Sequence, residues 1–142
     1  MECIVLDTNC LLQILPYDSA YRHIWDKIIR GRIVLCISNE IIFEYKEILE
    51  QFYGSAYAET IIMTILKTKY IKITPKFFWS LITQDPDDNK FVDCAIAANA
   101  KCIVSNDKHF NVLKQKDIWP KVDLKTLKEY HQYLMNNYPS TL

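Results

Sequence analysis

Glycine is scarce in this sequence of 142 residues, where Gly31 and Gly54 are the only two. Nucleotide-binding loops need several glycines close together, because their backbone N–H groups must approach phosphate oxygens closely. The sequence therefore excludes a P-loop and a dinucleotide-binding fingerprint. Any phosphate group that this protein binds must be contacted in another way.

Net charge and long hydrophobic segments are also absent. Seventeen basic and seventeen acidic residues give a formal net charge of zero, which excludes a polycationic nucleic-acid binder and an acidic disordered chain. No apolar run reaches the roughly 18 residues that a membrane span needs, and the N-terminal residues lack the pattern of a secretory signal. We predict a single globular domain over 1–142, in the cytoplasm, with no membrane partner.

Paired cysteines and clustered histidines are missing too. The five cysteines include no Cys-x-x-Cys pair and fall mostly in apolar stretches, so we expect reduced thiols in the core. The three histidines are too scattered for a His-based zinc motif; they are His23, His109 and His131.

What the chain does contain is an alternation of short apolar runs and helical periodicities. The apolar runs predict buried strands at 3–6, 33–37 and 102–104, with a more exposed candidate at 70–74. Helical periodicity predicts helices at 19–30, 39–53, 55–69, 88–100 and 123–136. This alternation is typical of an α/β domain whose mainly parallel sheet is flanked by helices.

Four acidic residues stand out by their positions in these elements. Asp7 follows the first strand directly and Asp107 follows the strand 102–104 closely, so both should lie at the carboxyl edge of the sheet, where ligands of such sheets bind. Glu44 lies on the flank of the apolar stripe of the helix 39–53. Asp93 lies on the helix 88–100 among small and apolar residues, where a carboxylate must find a partner.

Carboxylates gathered at one edge repel one another unless a cation compensates their charge. All-oxygen ligation favours hard ions, Mg²⁺ or Mn²⁺, over zinc. A metal held by carboxylates with open positions suits phosphoryl chemistry. The sequence therefore predicts one or two divalent ions as cofactors, and these ions would also contact the phosphate.

Three segments carry a resemblance to a known family. They are Leu6-Asp7-Thr8-Asn9, residues 85–98 (Asp-Pro-Asp-Asp-Asn-Lys-Phe-Val-Asp-Cys-Ala-Ile-Ala-Ala) and residues 102–110 (Cys-Ile-Val-Ser-Asn-Asp-Lys-His-Phe). In this order and spacing they resemble the motifs of PIN-domain proteins, of the VapC-like kind found as toxins of prokaryotic toxin–antitoxin pairs. The resemblance implies a PIN-like three-layer α/β/α fold.

The resemblance also implies a function. It suggests a metal-dependent endoribonuclease that cleaves RNA phosphodiester bonds with a metal-activated water. It assigns Asp7, Glu44, Asp93 and Asp107 to the catalytic metal site, with Asn9 and Ser105 orienting ligands and water around them. Its partners would be an RNA substrate, a cognate antitoxin and a second copy of the chain.

Two features depart from the family pattern. Ser105 stands where the last motif usually carries Thr, and both residues supply a hydroxyl group. Asp88 competes with Asp93 as the third acid, although Asp85, Asp87 and Asp88 are also typical of a turn and helix N-cap.

Two other functions remain open from the sequence. The chain could be a non-catalytic RNA- or protein-binding module that keeps the PIN fold. It could also be a Mg-dependent phosphatase of the haloacid dehalogenase type, although that family needs a second Asp where Asn9 stands. The lysines of 60–84 and 108–128 are available for an RNA backbone or are simply solvated.

Overall fold

Five short strands form the sheet in the computed structural model, which describes residues 2–138. They are β1 (Glu2–Leu6), β2 (Ile33–Ile37), β3 (Tyr70–Lys72), β4 (Cys102–Val104) and β5 (Leu124–Lys125). All neighbouring strands are parallel, in the order β3-β2-β1-β4-β5. The carboxyl ends of β1 and β4 therefore lie side by side.

Six α-helices connect and flank these strands. They are α1 (Thr8–Ile14), α2 (Arg22–Ile29), α3 (Asn39–Tyr53), α4 (Ser55–Lys67), α5 (Asn89–Ala98) and α6 (Leu127–Asn137). Two 3₁₀ segments, Pro86–Asp88 and Lys108–Lys114, precede α5 and follow β4. This architecture confirms the predicted three-layer α/β/α fold with a parallel sheet.

The local predictions differ from the structure at both ends of the chain. The helix α1 is not predicted from the sequence, because its seven residues show too little of the helical period for recognition. The strand β5 lies within the range of the last predicted helix. A capping box at Thr126 starts α6, since the Thr126 hydroxyl accepts from the Glu129 N–H and the Glu129 carboxylate accepts from the Thr126 N–H.

The core packs α5 against the centre of the sheet and α3 against α5, α1 and α4. The strand β2 is wholly buried, and α5 contacts β1, β2 and β4. Ser38 caps α3 by accepting from the Ile41 N–H at 3.3 Å. The buried Tyr45 hydroxyl on α3 donates to the Leu6 carbonyl at the end of β1. This bond fixes α3 beside the carboxyl edge.

The thiol prediction is right for three cysteines and wrong for two. Cys10, Cys94 and Cys102 are free and buried. Cys3 and Cys36 form a disulfide between β1 and β2, with their Cα atoms 6.0 Å apart. Adjacent strands bring these two side chains together although they are 33 residues apart in the sequence. Within residues 2–138, no helix is long and apolar enough to cross a membrane.

Candidate active site at the carboxyl edge of the sheet

Asp7 lies at the centre of the carboxyl edge, and only 6% of this residue is exposed to solvent. Its backbone N–H donates to the Val104 carbonyl at 3.0 Å, which joins the ends of β1 and β4. The Ser105 hydroxyl donates to Asp7 Oδ2 at 2.7 Å. Burial raises the pKa of Asp7, and the negative charges of Glu44 and Asp107 raise it further. Hydrogen bonds from the Ser105 hydroxyl and the Thr8 N–H act in the opposite direction and lower this pKa.

The Asp7 side chain makes no capping hydrogen bond to α1. Its carboxylate is therefore not occupied in the way that Asp residues before helices usually are.

Glu44 reaches this edge from α3 with both oxygens engaged. The Thr8 hydroxyl donates to Oε2, and the Lys90 Nζ lies 2.7 Å from Oε1. Lys90 also donates to the Asp87 carbonyl at 2.9 Å. No local pattern predicts the roles of Thr8 and Lys90, because each contacts a residue far away along the chain.

Asp107 follows β4 at the position that the sequence predicts. Its backbone N–H donates to the Ser105 hydroxyl at 3.0 Å, and its Oδ1 accepts from the His109 N–H at 2.9 Å. The Ser105 hydroxyl thus contacts Asp7 and the Asp107 backbone together. Asn9 is exposed and lines a shallow pocket beside Asp107.

Asp88 lies at the end of the 3₁₀ segment before α5 and belongs to the same group of acids. Its Oδ2 is buried and makes no hydrogen bond within the described residues 2–138. Burial raises the pKa of Asp88 to about 7, with further contributions from the neighbouring carboxylates of Asp85, Asp107 and Asp7. A buried carboxylate oxygen without a donor is what a cation would compensate.

Asp93 lies in different surroundings, although only five residues separate it from Asp88. Its Oδ1 accepts from the Trp79 backbone N–H at 3.0 Å. Burial raises the pKa of Asp93, the Trp79 N–H opposes this, and the one charge that contributes is that of Glu40. The structure thus gives Asp93 a backbone partner and does not bring it to the carboxylates of Asp7, Asp88 and Asp107.

A second group, missed by the sequence analysis, overlaps with this edge. One side-chain atom from each of four residues lies within 4.8 Å of the other three: Asp85, Asp88, Asp107 and His109. Asp85 also acts as the turn residue that the sequence predicts, accepting from the Asp87 N–H at 3.3 Å. His109 was missed because histidine spacing along the chain says nothing about a histidine brought to carboxylates by a turn.

Negative charge exceeds positive charge at this edge. Five carboxylates converge here, those of Asp7, Glu44, Asp85, Asp88 and Asp107. In the part of the chain that the structure describes, Lys90 with Glu44 is the one ion pair between these acids and a lysine or arginine. An arrangement of this kind can hold a divalent cation and, through it, a phosphate group.

Comparison with known families identifies the fold around these acids. The PIN domain family matches residues 3–109, most of the chain. The chain belongs to the PIN domain family. The matched range contains all the acids of the site and His109, and it ends before the edge strand β5 and the last helix α6. Membership of this family sets the haloacid dehalogenase alternative aside.

Solved structures of similar fold support the same assignment. This PIN domain is similar to VapBC2 from Rickettsia felis bound to a DNA fragment from its promoter, with 18% identity over 87% of this chain and 98% of the other, and a TM-score of 0.60. It is also similar to DNA-bound VapBC from Salmonella typhimurium, with 13% identity over 89% and 99% of the two chains and a TM-score of 0.55. No curated protein matches the sequence.

Proposed function

We propose that this PIN domain is a divalent-metal-dependent endoribonuclease and the toxin of a toxin–antitoxin pair. The observation that carries the proposal is the convergence of Asp7, Asp88 and Asp107 at the carboxyl edge. They lie there with an excess of negative charge and a buried carboxylate oxygen that has no hydrogen-bond donor within residues 2–138. PIN-family membership gives this arrangement a nuclease context.

The residues of the edge fit a cation of the Mg²⁺ or Mn²⁺ class. Asp7, Asp88 and Asp107 would hold it, and Glu44 would complete the acidic pocket. We propose Asp88 in place of Asp93 as the third acid, because the charges of Asp7 and Asp107 act on Asp88, whereas the charge that acts on Asp93 is that of Glu40. When bound, such an ion supplies charge neutralisation of the phosphate and activation of a water molecule.

The chain's own residues would orient the reacting groups. The Ser105 hydroxyl fixes Asp7 Oδ2 and the Asp107 backbone at once. The Thr8 hydroxyl and Lys90 hold the Glu44 carboxylate in place. This support is the kind of outer hydrogen bonding that keeps metal ligands aligned. Lys90 also offers a positive charge to a phosphate bound at the edge.

The RNA backbone beyond the cleavage point would be held by lysines outside the edge. Lys67, Lys69, Lys72 and Lys76 are all exposed. Their exposure supports a role in phosphate contacts, which form without sequence preference. We further propose that an antitoxin covers this edge, since both similar structures are VapBC complexes. A homodimer and a cytoplasmic location stay predictions.

The test is cleavage of a panel of structured RNAs by the purified protein, with Mg²⁺, with Mn²⁺ and with chelator. We expect cleavage only with added metal, and a loss of at least about 100-fold in Asp7→Asn, because loss of a mere supporting contact already costs 10- to 100-fold. Cleavage that survives chelation, or an Asp7→Asn variant as active as the parent, would contradict the proposal. RNA binding without turnover, unaffected by chelator, would favour a non-catalytic module.

A further inference from the structure

His109 brings a nitrogen atom into a site that the sequence predicts to be made of oxygen ligands alone. Its Nδ1 lies 3.4 Å from Asp107 Oδ1, 3.7 Å from Asp85 Oδ2 and 3.9 Å from Asp88 Oδ2. The turn that positions it is built by Asp107, whose Oδ1 accepts from the His109 N–H at 2.9 Å. The ring is therefore folded back over the carboxylates.

The Nδ1 atom accepts and donates no hydrogen bond in the part of the chain that the structure describes. The His109 side chain is 41% exposed, yet Nδ1 is buried and makes no hydrogen bond within residues 2–138. Asp88 Oδ2, one of the three oxygens facing it, is buried and without a hydrogen bond as well. A buried nitrogen atom and a buried oxygen atom thus face the same space without a hydrogen bond between them.

The separations between Nδ1 and the three carboxylate oxygens are too long for hydrogen bonds. All three exceed the 2.7–3.2 Å of an N–H···O bond. A cation with bonds of about 2.0–2.2 Å keeps neighbouring ligand atoms roughly 3–3.6 Å apart and opposite ones about 4.3 Å apart. The 3.4 Å separation from Asp107 Oδ1 lies within the range for neighbouring ligand atoms, and the separations of 3.7 and 3.9 Å lie just above it.

We propose that His109 is a ligand of the metal centre through Nδ1, beside Asp85, Asp88 and Asp107, and that it makes the centre prefer Mn²⁺ and later transition metals to Mg²⁺. Imidazole nitrogen suits transition metals such as Fe²⁺, Ni²⁺ and Zn²⁺, and Mn²⁺, the first of that series, accepts it more readily than Mg²⁺, which takes oxygen ligands almost exclusively. The proposal rests on the metal centre of the proposed nuclease, with which it shares Asp88 and Asp107, and it adds Asp85, His109 and a selectivity to that centre. The competing explanation is that His109 is a protonated internal counter-ion, which would compete with metal instead of binding it.

The experiment measures metal binding without RNA. Calorimetry gives the affinities of the parent, His109→Ala and His109→Asn for Mn²⁺ and Mg²⁺, and pulsed electron paramagnetic resonance of bound Mn²⁺ detects a directly bonded nitrogen. We expect a nitrogen signal in the parent that both variants lose. We also expect Mn²⁺ affinity to fall about tenfold or more in His109→Ala, with Mg²⁺ affinity changing less than about threefold.

The Asn variant keeps the proposal testable if the Ala variant folds poorly. Asparagine places an amide oxygen near the position of Nδ1, so His109→Asn should bind both ions with a reduced ratio of Mn²⁺ to Mg²⁺ affinity. His131→Gln serves as the matched control, because His131 contacts His23 and Tyr21 instead of the acidic edge. It should keep the nitrogen signal.

Three results would overturn the proposal: bound Mn²⁺ without a nitrogen signal in the parent, unchanged Mn²⁺ affinity in both His109 variants, or tighter Mg²⁺ and Mn²⁺ binding on removal of the imidazole. The last would identify the counter-ion. RNA cleavage by the parent with either ion is measured in parallel. Cleavage without a nitrogen signal would contradict His109 as a ligand and support the nuclease function. A nitrogen signal without cleavage would support His109 as a ligand and contradict the nuclease function.

Discussion

Asp88 and Asp93 form an instructive pair, because two acids five residues apart meet opposite surroundings. Asp88 ends the 3₁₀ segment before α5, faces other carboxylates and has a buried oxygen without a hydrogen bond in the described chain. Asp93 lies one turn inside α5 and accepts from the Trp79 N–H. Burial raises the pKa of both, so a raised pKa does not distinguish the two acids.

The two carboxylates differ in their hydrogen-bond partners. Asp93 and Asn89 are four residues apart on α5 and both hold the irregular segment before it. Asn89 exchanges two hydrogen bonds with the Ile82 backbone, at 2.9 and 2.8 Å, and Asp93 takes the Trp79 N–H. Asp93 thus anchors a loop, whereas Asp88 Oδ2 faces other carboxylates and His109 without making a hydrogen bond in the described chain.

The largest expected effect comes from Asp88→Asn. We expect RNA cleavage to fall by at least about 100-fold, since the variant removes a charge from the metal centre, whereas stability without metal should not decrease because carboxylate repulsion is relieved. Cleavage rates and thermal unfolding measure the two effects. Asp87→Asn is the matched control, as the Asp87 side chain is 89% exposed, and equal losses in both variants would remove the distinction.

The next effect concerns Asp93 and the stability of the loop. Asp93→Ala leaves the Trp79 N–H without an acceptor and should lower the free energy of unfolding by about 1–3 kcal/mol. Asp93→Asn keeps an acceptor oxygen and should retain most of that stability, and cleavage within about threefold of the parent. Denaturant unfolding and the RNA assay check both variants. If Asp93→Asn abolished cleavage in a folded protein, Asp93 and not Asp88 would be the third acid.

A smaller effect is expected at Ser105, which supports Asp7 without carrying charge. Ser105→Ala removes the hydroxyl that holds Asp7 Oδ2 and the Asp107 N–H, so cleavage should fall about tenfold. Ser105→Thr, which keeps the hydroxyl, should stay near the parent rate. Metal-saturated single-turnover rates measure this, and an unchanged Ser105→Ala rate would mean that Asp7 needs no such support.

The smallest expected effect concerns His23, which lies outside the acidic edge and whose pKa is lowered by burial. Burial lowers the pKa of His23 to about 4, helped by the charges of Lys27 and His131 and opposed by Asp26. Below about pH 6.5, His23 is protonated in the unfolded chain but stays neutral in the folded protein. The free energy of unfolding should therefore decrease as the pH falls from 6.5 towards 4. Unfolding in urea at pH 7 and pH 5 measures the loss, and His23→Gln should reduce it. Equal pH dependence in parent and variant would contradict the assignment.

Local patterns predicted most of the fold. Apolar runs located β1, β2 and β4, and the helical period located α3 with its bounds. Strands buried on both faces and long amphipathic helices leave a strong periodic signal. The structure differs where elements are too short to have a period, as in α1 and β5. The aromatic side chains of 77–79, which precede the motif of residues 85–98, are exposed, and no local sequence pattern predicts this exposure.

The sequence by itself determined that Asp7 and Asp107 would meet, because each follows a buried parallel strand and such strands end at one edge. Only the tertiary structure decided which aspartate near α5 joins them, since the choice depends on the 3₁₀ turn that precedes the helix and on the loop that needs an acceptor. The structure also decided that His109 and Lys90 reach the acids. Contacts of this kind depend on how turns and helices place side chains in three dimensions, which no spacing along the chain encodes.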